Sequence, residues 1–237
     1  MSGDVLILGG GSEIGLALAR AWAGEGRTIR LAARQTARLA PEIERLRASG
    51  AAEVTTHEWD VLDAGSTTRL FDGLPRTPEI VVMAAGLYDH PDRDLLMRSN
   101  FNGPALAVEA AARYLGASGG GWIVGISSVA GDRGRASNYP YGAAKAGFTA
   151  WLSGLRARLH GTSVRVMTVK PGPVATRMIA GRSVPAPLLC SADRVASAVV
   201  AAHRAGREVV YVPWFWRPIM AAVRALPEPL FKRLRLG

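Results

Sequence analysis

Short runs of consecutive apolar residues recur along the chain, separated by stretches whose apolar positions return every three or four residues. The runs are Val5–Leu8, Thr28–Ala32, Val54–Glu58, Ile80–Ala84, Trp122–Ile126, Val164–Val169 and Val209–Val212. Helical spacing marks Ile14–Trp22, Ala105–Leu115 and Lys145–Leu159. A strand that is apolar without alternation is buried on both faces, so the pattern predicts a mostly parallel seven-stranded sheet covered by helices on each side. Right-handed crossovers make such a sheet doubly wound, and its ligand cleft lies beyond the carboxyl ends of the strands.

The expectation is therefore an α/β protein with one Rossmann-type domain over residues 1–237, with no repeat, low-complexity tract or linker to divide it. Two regions break the alternation. One is the Pro/Gly-rich segment 171–189. The other is the tail 213–237, where Trp214, Phe215 and Trp216 stand beside Arg217.

Composition narrows the function classes. The 29 basic and 19 acidic residues give a formal charge of +10, which favours anionic partners such as dinucleotide phosphates, nucleic acid or an anionic membrane. With no zinc-type Cys/His spacing and no aromatic RNA-binding signature, nucleic acid is not an expected partner. His57, His90, His160 and His203 fall on different elements and read as structural or solvated, so no metal is expected. The lone cysteine, Cys190, rules out an internal disulfide, fits a reducing compartment and reads as a small hydrophobe beside a helix start. The amino terminus runs straight into an apolar strand without the charged region of a signal peptide, and no apolar run reaches 18 residues. The expected location is the cytoplasm.

The first strand enters Gly9-Gly10-Gly11-Ser12-Glu13-Ile14-Gly15 and then a helix. A glycine-rich turn there lets backbone amides approach a pyrophosphate at the positive end of the helix, and its place in the first strand–helix unit suits a dinucleotide. The second strand ends at Arg34 with no acidic residue to meet a ribose hydroxyl. A guanidinium pairs with a 2′-phosphate, which favours NADP(H) over NAD(H). After the third strand, Asp60-Val61 stands where a carboxylate could meet the adenine amino group, although a plain turn aspartate reads equally well.

The chemistry concentrates in Ser128, Tyr141 and Lys145. Tyr141 and Lys145 are i and i+4, neighbours on one helix face. A nearby ammonium and the cation of the nicotinamide itself are expected to lower the phenol pKa from about 10 toward working pH. Tyr141 then suits a general acid toward a carbonyl oxygen, and Ser128, after the fifth strand, suits a hydrogen-bond donor to the same oxygen.

These residues resemble the short-chain dehydrogenase/reductase family over essentially the whole chain. The family's serine precedes its Tyr-x-x-x-Lys tyrosine by thirteen residues, the distance from Ser128 to Tyr141, and the spacing selects Tyr141 over Tyr139. The resemblance implies that Asn100 completes a tetrad by supporting a water-linked proton path to Lys145, and that Lys145 also binds the nicotinamide ribose. It implies further that Gly9, Gly11, Ser12, Ile14 and Gly15 form the dinucleotide turn and that Ala85 and Gly86 contact the cofactor through their backbone. Pro171, Gly172, Val174 and Thr176, in Pro171-Gly172-Pro173-Val174-Ala175-Thr176, are then the segment that holds the nicotinamide carboxamide. Two segments depart from the family pattern. Leu8 and Glu13 replace a threonine and the middle glycine of the turn, and a carboxylate near phosphates is repulsive unless it points away. Met83-Ala84-Ala85-Gly86 replaces Asn-Asn-Ala-Gly.

A narrower likeness joins the turn Gly9–Gly15, the run Ser127–Arg133 and the tail Pro213–Leu234 to reductases of decaprenylphosphoryl 2-keto-pentofuranose. It implies a lipid-linked keto-sugar as substrate; the alternatives are a soluble ketone, a 3-oxoacyl thioester or a steroid-like alcohol, or a dinucleotide sensor without turnover. The tail mixes Ile219, Met220, Val223, Leu226, Leu230, Phe231 and Leu234 with Arg217, Arg224, Lys232, Arg233 and Arg235. Such a mixture suits peripheral contact with an anionic bilayer at the inner membrane face. Equally, it suits a cover for the substrate loop, expected at Ile179–Leu189, or a subunit interface, since the resemblance implies a homo-oligomer.

Overall fold

The computed structural model describes residues 3–234. Among them seven strands form one sheet: β1 (Val5–Leu8), β2 (Ile29–Ala33), β3 (Val54–Glu58), β4 (Ile80–Met83), β5 (Gly121–Ile126), β6 (Val164–Pro171) and β7 (Val209–Val212). Their order is β3-β2-β1-β4-β5-β6-β7, and every neighbouring pair is parallel. The strands lie within two residues of their expected limits. The order reverses between β1 and β4, where Leu8 pairs with Met83, and this places the ligand cleft at the turn after β1.

The helices are α1 (Glu13–Ala23), α2 (Ala40–Ala48), α3 (Ser66–Asp72), α4 (Arg93–Met97), α5 (Gly103–Ala117), α6 (Tyr139–Arg158), α7 (Ala192–Arg204), α8 (Trp216–Ala225) and α9 (Glu228–Phe231). Successive strand residues face opposite layers. Val5, Ile7, Ile29 and Val82 pack with residues of α1, α2 and α7, such as Trp22, Leu46 and Val199. Leu6, Leu8, Val81 and Met83 pack with residues of α3, α5 and α6, such as Phe71, Val108 and Phe148. Helix α6 begins six residues before the expected Lys145. Pro140 in its first turn costs no intrahelical bond there, because the first N–H groups of a helix lack partners anyway.

Beneath the sheet, the amino end of β1 holds a charge pair inside the apolar pattern. Arg30 of β2 donates to Asp4 at 2.6 and 2.9 Å with both side chains buried, and Arg76 donates to the same carboxylate. Burial alone would raise the Asp4 carboxyl, but the two guanidinium groups hold it below the usual carboxylate range.

The tail holds the two helices α8 and α9. Trp216, Met220 and Phe231 are buried, while Trp214, Ile219, Leu230 and Leu234 are exposed. Arg235 lies outside the described residues.

Candidate active site

The three residues expected to carry the chemistry come together from two pieces of backbone. Ser128 follows β5 and caps a short 3-10 turn, Val129–Gly131, its Oγ accepting the Ala130 N–H at 3.1 Å. Tyr141 and Lys145 lie in the first two turns of α6. The pieces are pressed together: a methyl group added at Gly131 would stand 2.7 Å from the backbone nitrogen of Ala146. Ser127 fixes the register by donating to the Lys145 carbonyl at 3.1 Å and sharing a hydrogen bond with Thr149 at 2.6 Å.

The electrostatics differ from the expectation. Tyr141 is pushed up to about 12, first by burial; Tyr88, whose ring packs 4.8 Å from it, adds in the same direction, and a hydrogen bond with Ser128 opposes the rise. Burial brings Lys145 down to about 8. Its Nζ donates to the Ile126 carbonyl at 3.1 Å and lies 5.8 Å from the centre of the Tyr141 ring. The expected lowering of the phenol by its lysine neighbour is thus absent in the protein alone. Loss of solvent outweighs the neighbour's charge when that charge is itself poorly solvated. What results is a phenol that keeps its proton at neutral pH beside an ammonium close to losing one.

Asn100 is fully buried in a π-helical turn, Arg98–Asn102, that joins α4 to α5. Turns of this kind are frequent at functional sites. Its amide donates to the carbonyls of Leu87 and Leu96 at 2.6 and 2.9 Å, and its Oδ1 accepts the Leu87 N–H at 3.1 Å. The side chain therefore fixes the strand-to-helix loop that carries Ala85 and Gly86.

The other end of the cleft suits a dinucleotide. Gly9 has φ 93° and approaches Ala85 so closely that an added methyl group would lie 2.5 Å from its backbone nitrogen, so only glycine serves. Gly11 is exposed with open space above it, and the first N–H groups of α1 follow, capped by Ser12 through Gly15 N–H at 3.4 Å. Ile14 is half-buried and packs against the core on the α1 side of the sheet. Arg34, at the tip of β2, is exposed and without an ion-pair partner among the described residues. With Asp60 it opens on a cleft of about 620 Å³. Asp60 itself accepts the Leu62 N–H at 3.0 Å, the bond of a turn aspartate, while Val61 is half-buried beside it. Pro171 closes β6, and Val174 is buried and bridges Cys190. Gly172 donates its N–H to Val212, and the Thr176 hydroxyl donates to the Val174 carbonyl at 3.2 Å. Glu13, the turn's acidic residue, accepts the Arg177 N–H at 2.8 Å.

The family model described as short chain dehydrogenase matches residues 4–184. The chain belongs to the short-chain dehydrogenase family. It is an NAD(P)-dependent oxidoreductase with a Rossmann fold. An uncharacterized oxidoreductase of Mycobacterium tuberculosis is 37% identical over 241 residues, covering 97% of this chain and 96% of the relative. One of Streptomyces coelicolor is 36% identical over 242 residues, with 98% and 95% covered. The fold also matches a solved short-chain dehydrogenase from Burkholderia cenocepacia in complex with NADP, at TM-score 0.82 and 22% identity, with 100% and 98% covered.

Within this short-chain dehydrogenase the tail packs on the turn of Ser128. Trp216 and Met220 bury themselves against Val129, with Leu188 of the 171–189 segment alongside. Arg133 donates to the carbonyls of Arg224 and Leu226 and to Glu228, and lies 4.2 Å over the Phe231 ring. Trp216 and Met220 of the tail therefore cover the turn of Ser128 in this chain. Other contacts of the site were not evident from the sequence. Tyr88 packs on Tyr141 and carries the Arg182 guanidinium 4.5 Å over its ring, while Arg182 also pairs with Asp89 at 2.7 Å. No local pattern marks these residues, because they meet only through the fold. Three histidines make packing contacts or local bonds: His203 sits against Trp22 and Trp122, His57 bonds Thr55 at 2.9 Å, and His90 Nδ1 accepts the Asp92 N–H at 3.2 Å, while His160 is exposed. Among the described residues no group of three or more His, Cys, Asp or Glu could hold a metal ion, and no helix is long and apolar enough to cross a membrane.

Proposed function

We propose that the chain is an NADPH-dependent reductase of a substrate ketone, with Tyr141 as general acid, Ser128 as the second donor to the carbonyl oxygen, and Lys145 and Asn100 in support. The observation that carries this reading is the convergence of Ser128, Tyr141 and Lys145 in one buried site, with the phenol protonated and the ammonium at about 8. When bound, the reduced dinucleotide supplies the hydride to the carbonyl carbon. Tyr141 gives its proton to the carbonyl oxygen and Ser128 donates to the same oxygen, so the product is an alcohol. Lys145, poised near its own pKa, returns a proton to the phenolate and binds the nicotinamide ribose. Asn100 holds the loop at Leu87 and a water path toward Lys145.

The turn Gly9–Gly15 would cradle the pyrophosphate, Asp60 and Val61 the adenine, Ala85 and Gly86 the ribose side, and Pro171–Thr176 the carboxamide. The free, exposed Arg34 favours a 2′-phosphate, and the B. cenocepacia structure holds NADP. For the substrate, a polyprenyl-phosphate-linked keto-pentofuranose is supported by Trp214, Ile219, Leu230 and Leu234. They remain exposed on a tail whose other side rests against the Ser128 turn. That arrangement would hold the site at an anionic membrane surface. A soluble ketone is the alternative, and assembly as a homo-oligomer fits the exposed Leu106 and Trp151 of α5 and α6.

The test follows nicotinamide absorbance with NADPH and a panel of ketones, with and without anionic vesicles. Oxidation by wild type that falls by a factor of about 10² or more in Tyr141→Phe, with NADPH binding kept, supports the assignment. Cofactor binding without oxidation of any ketone would make the protein a sensor, and vesicle-independent activity on a soluble ketone would remove the lipid-linked substrate.

A further inference from the structure

Glu13 opens α1, beside the turn proposed to hold a pyrophosphate, where another anion is unwelcome. Its carboxylate is engaged elsewhere. Oε2 accepts the backbone N–H of Arg177 at 2.8 Å, and the Arg177 Nε lies 3.6 Å away. Arg177 is the first residue of a short 3-10 turn, Arg177–Ile179, and its N–H needs a cap. Thr176, which precedes it, makes no side-chain cap, and its hydroxyl donates to the Val174 carbonyl. The cap comes instead from a residue 164 positions away in sequence.

Arg177 itself is 81% exposed, so its guanidinium adds little, and the bond to its backbone is the part of the contact that orders the chain. The base of the segment is fixed by Val174 pairing with Cys190, with Ala175 N–H donating to the Cys190 carbonyl at 2.8 Å. Its far end is held by Arg182 on Asp89 and Tyr88. Glu13 anchors the stretch between, directly after Thr176.

We propose that Glu13 is a positioning residue: it ties the dinucleotide turn to the backbone that follows Thr176, so that cofactor and substrate segment are held in one geometry. This rests on the reductase reading above. A carboxylate at this place does two things at once, removing its own charge from the phosphate path and presetting the carboxamide segment. Misplacing a reacting ring by a fraction of an ångström lowers turnover more than it lowers binding.

The experiment compares Glu13→Gln, Glu13→Ala, Glu13→Gly and Arg177→Ala by steady-state reduction, by NADPH fluorescence titration, and by tryptic cleavage after Arg182 with NADPH bound. The amide oxygen of Glu13→Gln still caps the Arg177 N–H, so kcat should stay within about twofold of wild type; Arg177→Ala should do the same. Glu13→Ala and Glu13→Gly should lose roughly tenfold in kcat with NADPH affinity changed by less than about threefold, and cleavage after Arg182 should quicken by roughly fivefold. Full kcat in Glu13→Ala, or a loss in Arg177→Ala or Glu13→Gln equal to that in Glu13→Ala, would overturn the proposal. If wild type reduces no ketone, the reductase reading fails separately, and the cleavage rates still decide: equal rates in wild type and Glu13→Ala leave the anchor without effect.

Discussion

Asp132 and Lys170 form a buried ion pair, Oδ1 to Nζ at 2.5 Å, with side chains 3% and 8% exposed. Tyr211 donates to the other carboxylate oxygen at 2.9 Å. Asp132 ends the turn that begins at Ser128, and Lys170 is the penultimate residue of β6, just before Pro171. The pair thereby fixes the serine turn to the segment proposed to hold the carboxamide.

Removing one partner leaves the other charge buried, and that is the costly change. Asp132→Ala should lower stability by about 3–5 kcal/mol, read by urea denaturation. The double change Asp132→Leu with Lys170→Met should regain most of it, because two apolar side chains leave no stranded charge. A double variant no more stable than Asp132→Ala would contradict this account of the pair.

The titration of the site gives stability an unusual pH course. Lys145 titrates at about 8 when folded against 10.5 ordinarily, so the unfolded chain holds the extra proton between those values. The burial cost is full below pH 8 and is relieved as pH rises from 8 toward 10. Tyr141, pushed up to about 12 from 10, acts in the opposite direction: its contribution is full below pH 10 and is lost on the way to 12. Tyr211, raised to about 12 by burial and by Asp132, reinforces that fall. Thermal melts should therefore show stability climbing from pH 8, peaking near pH 10 and then dropping. Lys145→Met should abolish the climb and stabilise the protein at pH 7, by up to about 3 kcal/mol. A flat profile in wild type between pH 8 and 10 would mean that the ammonium is better solvated than its burial implies.

How much of this was legible in the chain follows from what each feature depends on. The strands were readable because burial on both faces leaves an apolar run, and the Ser128–Tyr141–Lys145 group because its members share a local spacing. Arg30 shows the limit: its charge sits inside a buried strand, satisfied by Asp4, whose carboxylate also accepts from Arg76 of another element. Glu13 read as a liability beside phosphates until the fold supplied Arg177 as its partner. The rise of the phenol's pKa in the protein alone was not legible, because charge proximity can be read from i,i+4 spacing, whereas burial of the ring and the approach of Tyr88 come only with the fold. The tail's composition was equally compatible with a lipid surface and with self-packing, and the division between Trp216 and Trp214 lay beyond what composition encodes.

Arg34 decides the cofactor prediction. It is exposed at the tip of β2, next to the turn of Gly9–Gly11, and no carboxylate among the described residues pairs with it. A free guanidinium in this place favours a phosphate ester on the adenine ribose and offers nothing special to a ribose with two hydroxyls. Arg34→Ala should raise KM for NADPH by roughly tenfold while moving that for NADH by less than about twofold. Arg34→Asp goes further, since a carboxylate there repels the phosphate and can accept from ribose hydroxyls; the preference should reverse. Because the contact is between exposed charges, raising the salt roughly tenfold, from about 0.05 to about 0.5 M, should weaken NADPH binding to wild type and leave Arg34→Ala nearly unchanged. Equal KM values for the two dinucleotides in wild type, or an unaltered ratio in Arg34→Ala, would remove Arg34 from cofactor choice and return Asp60 and the turn amides as the only determinants at that end of the cleft.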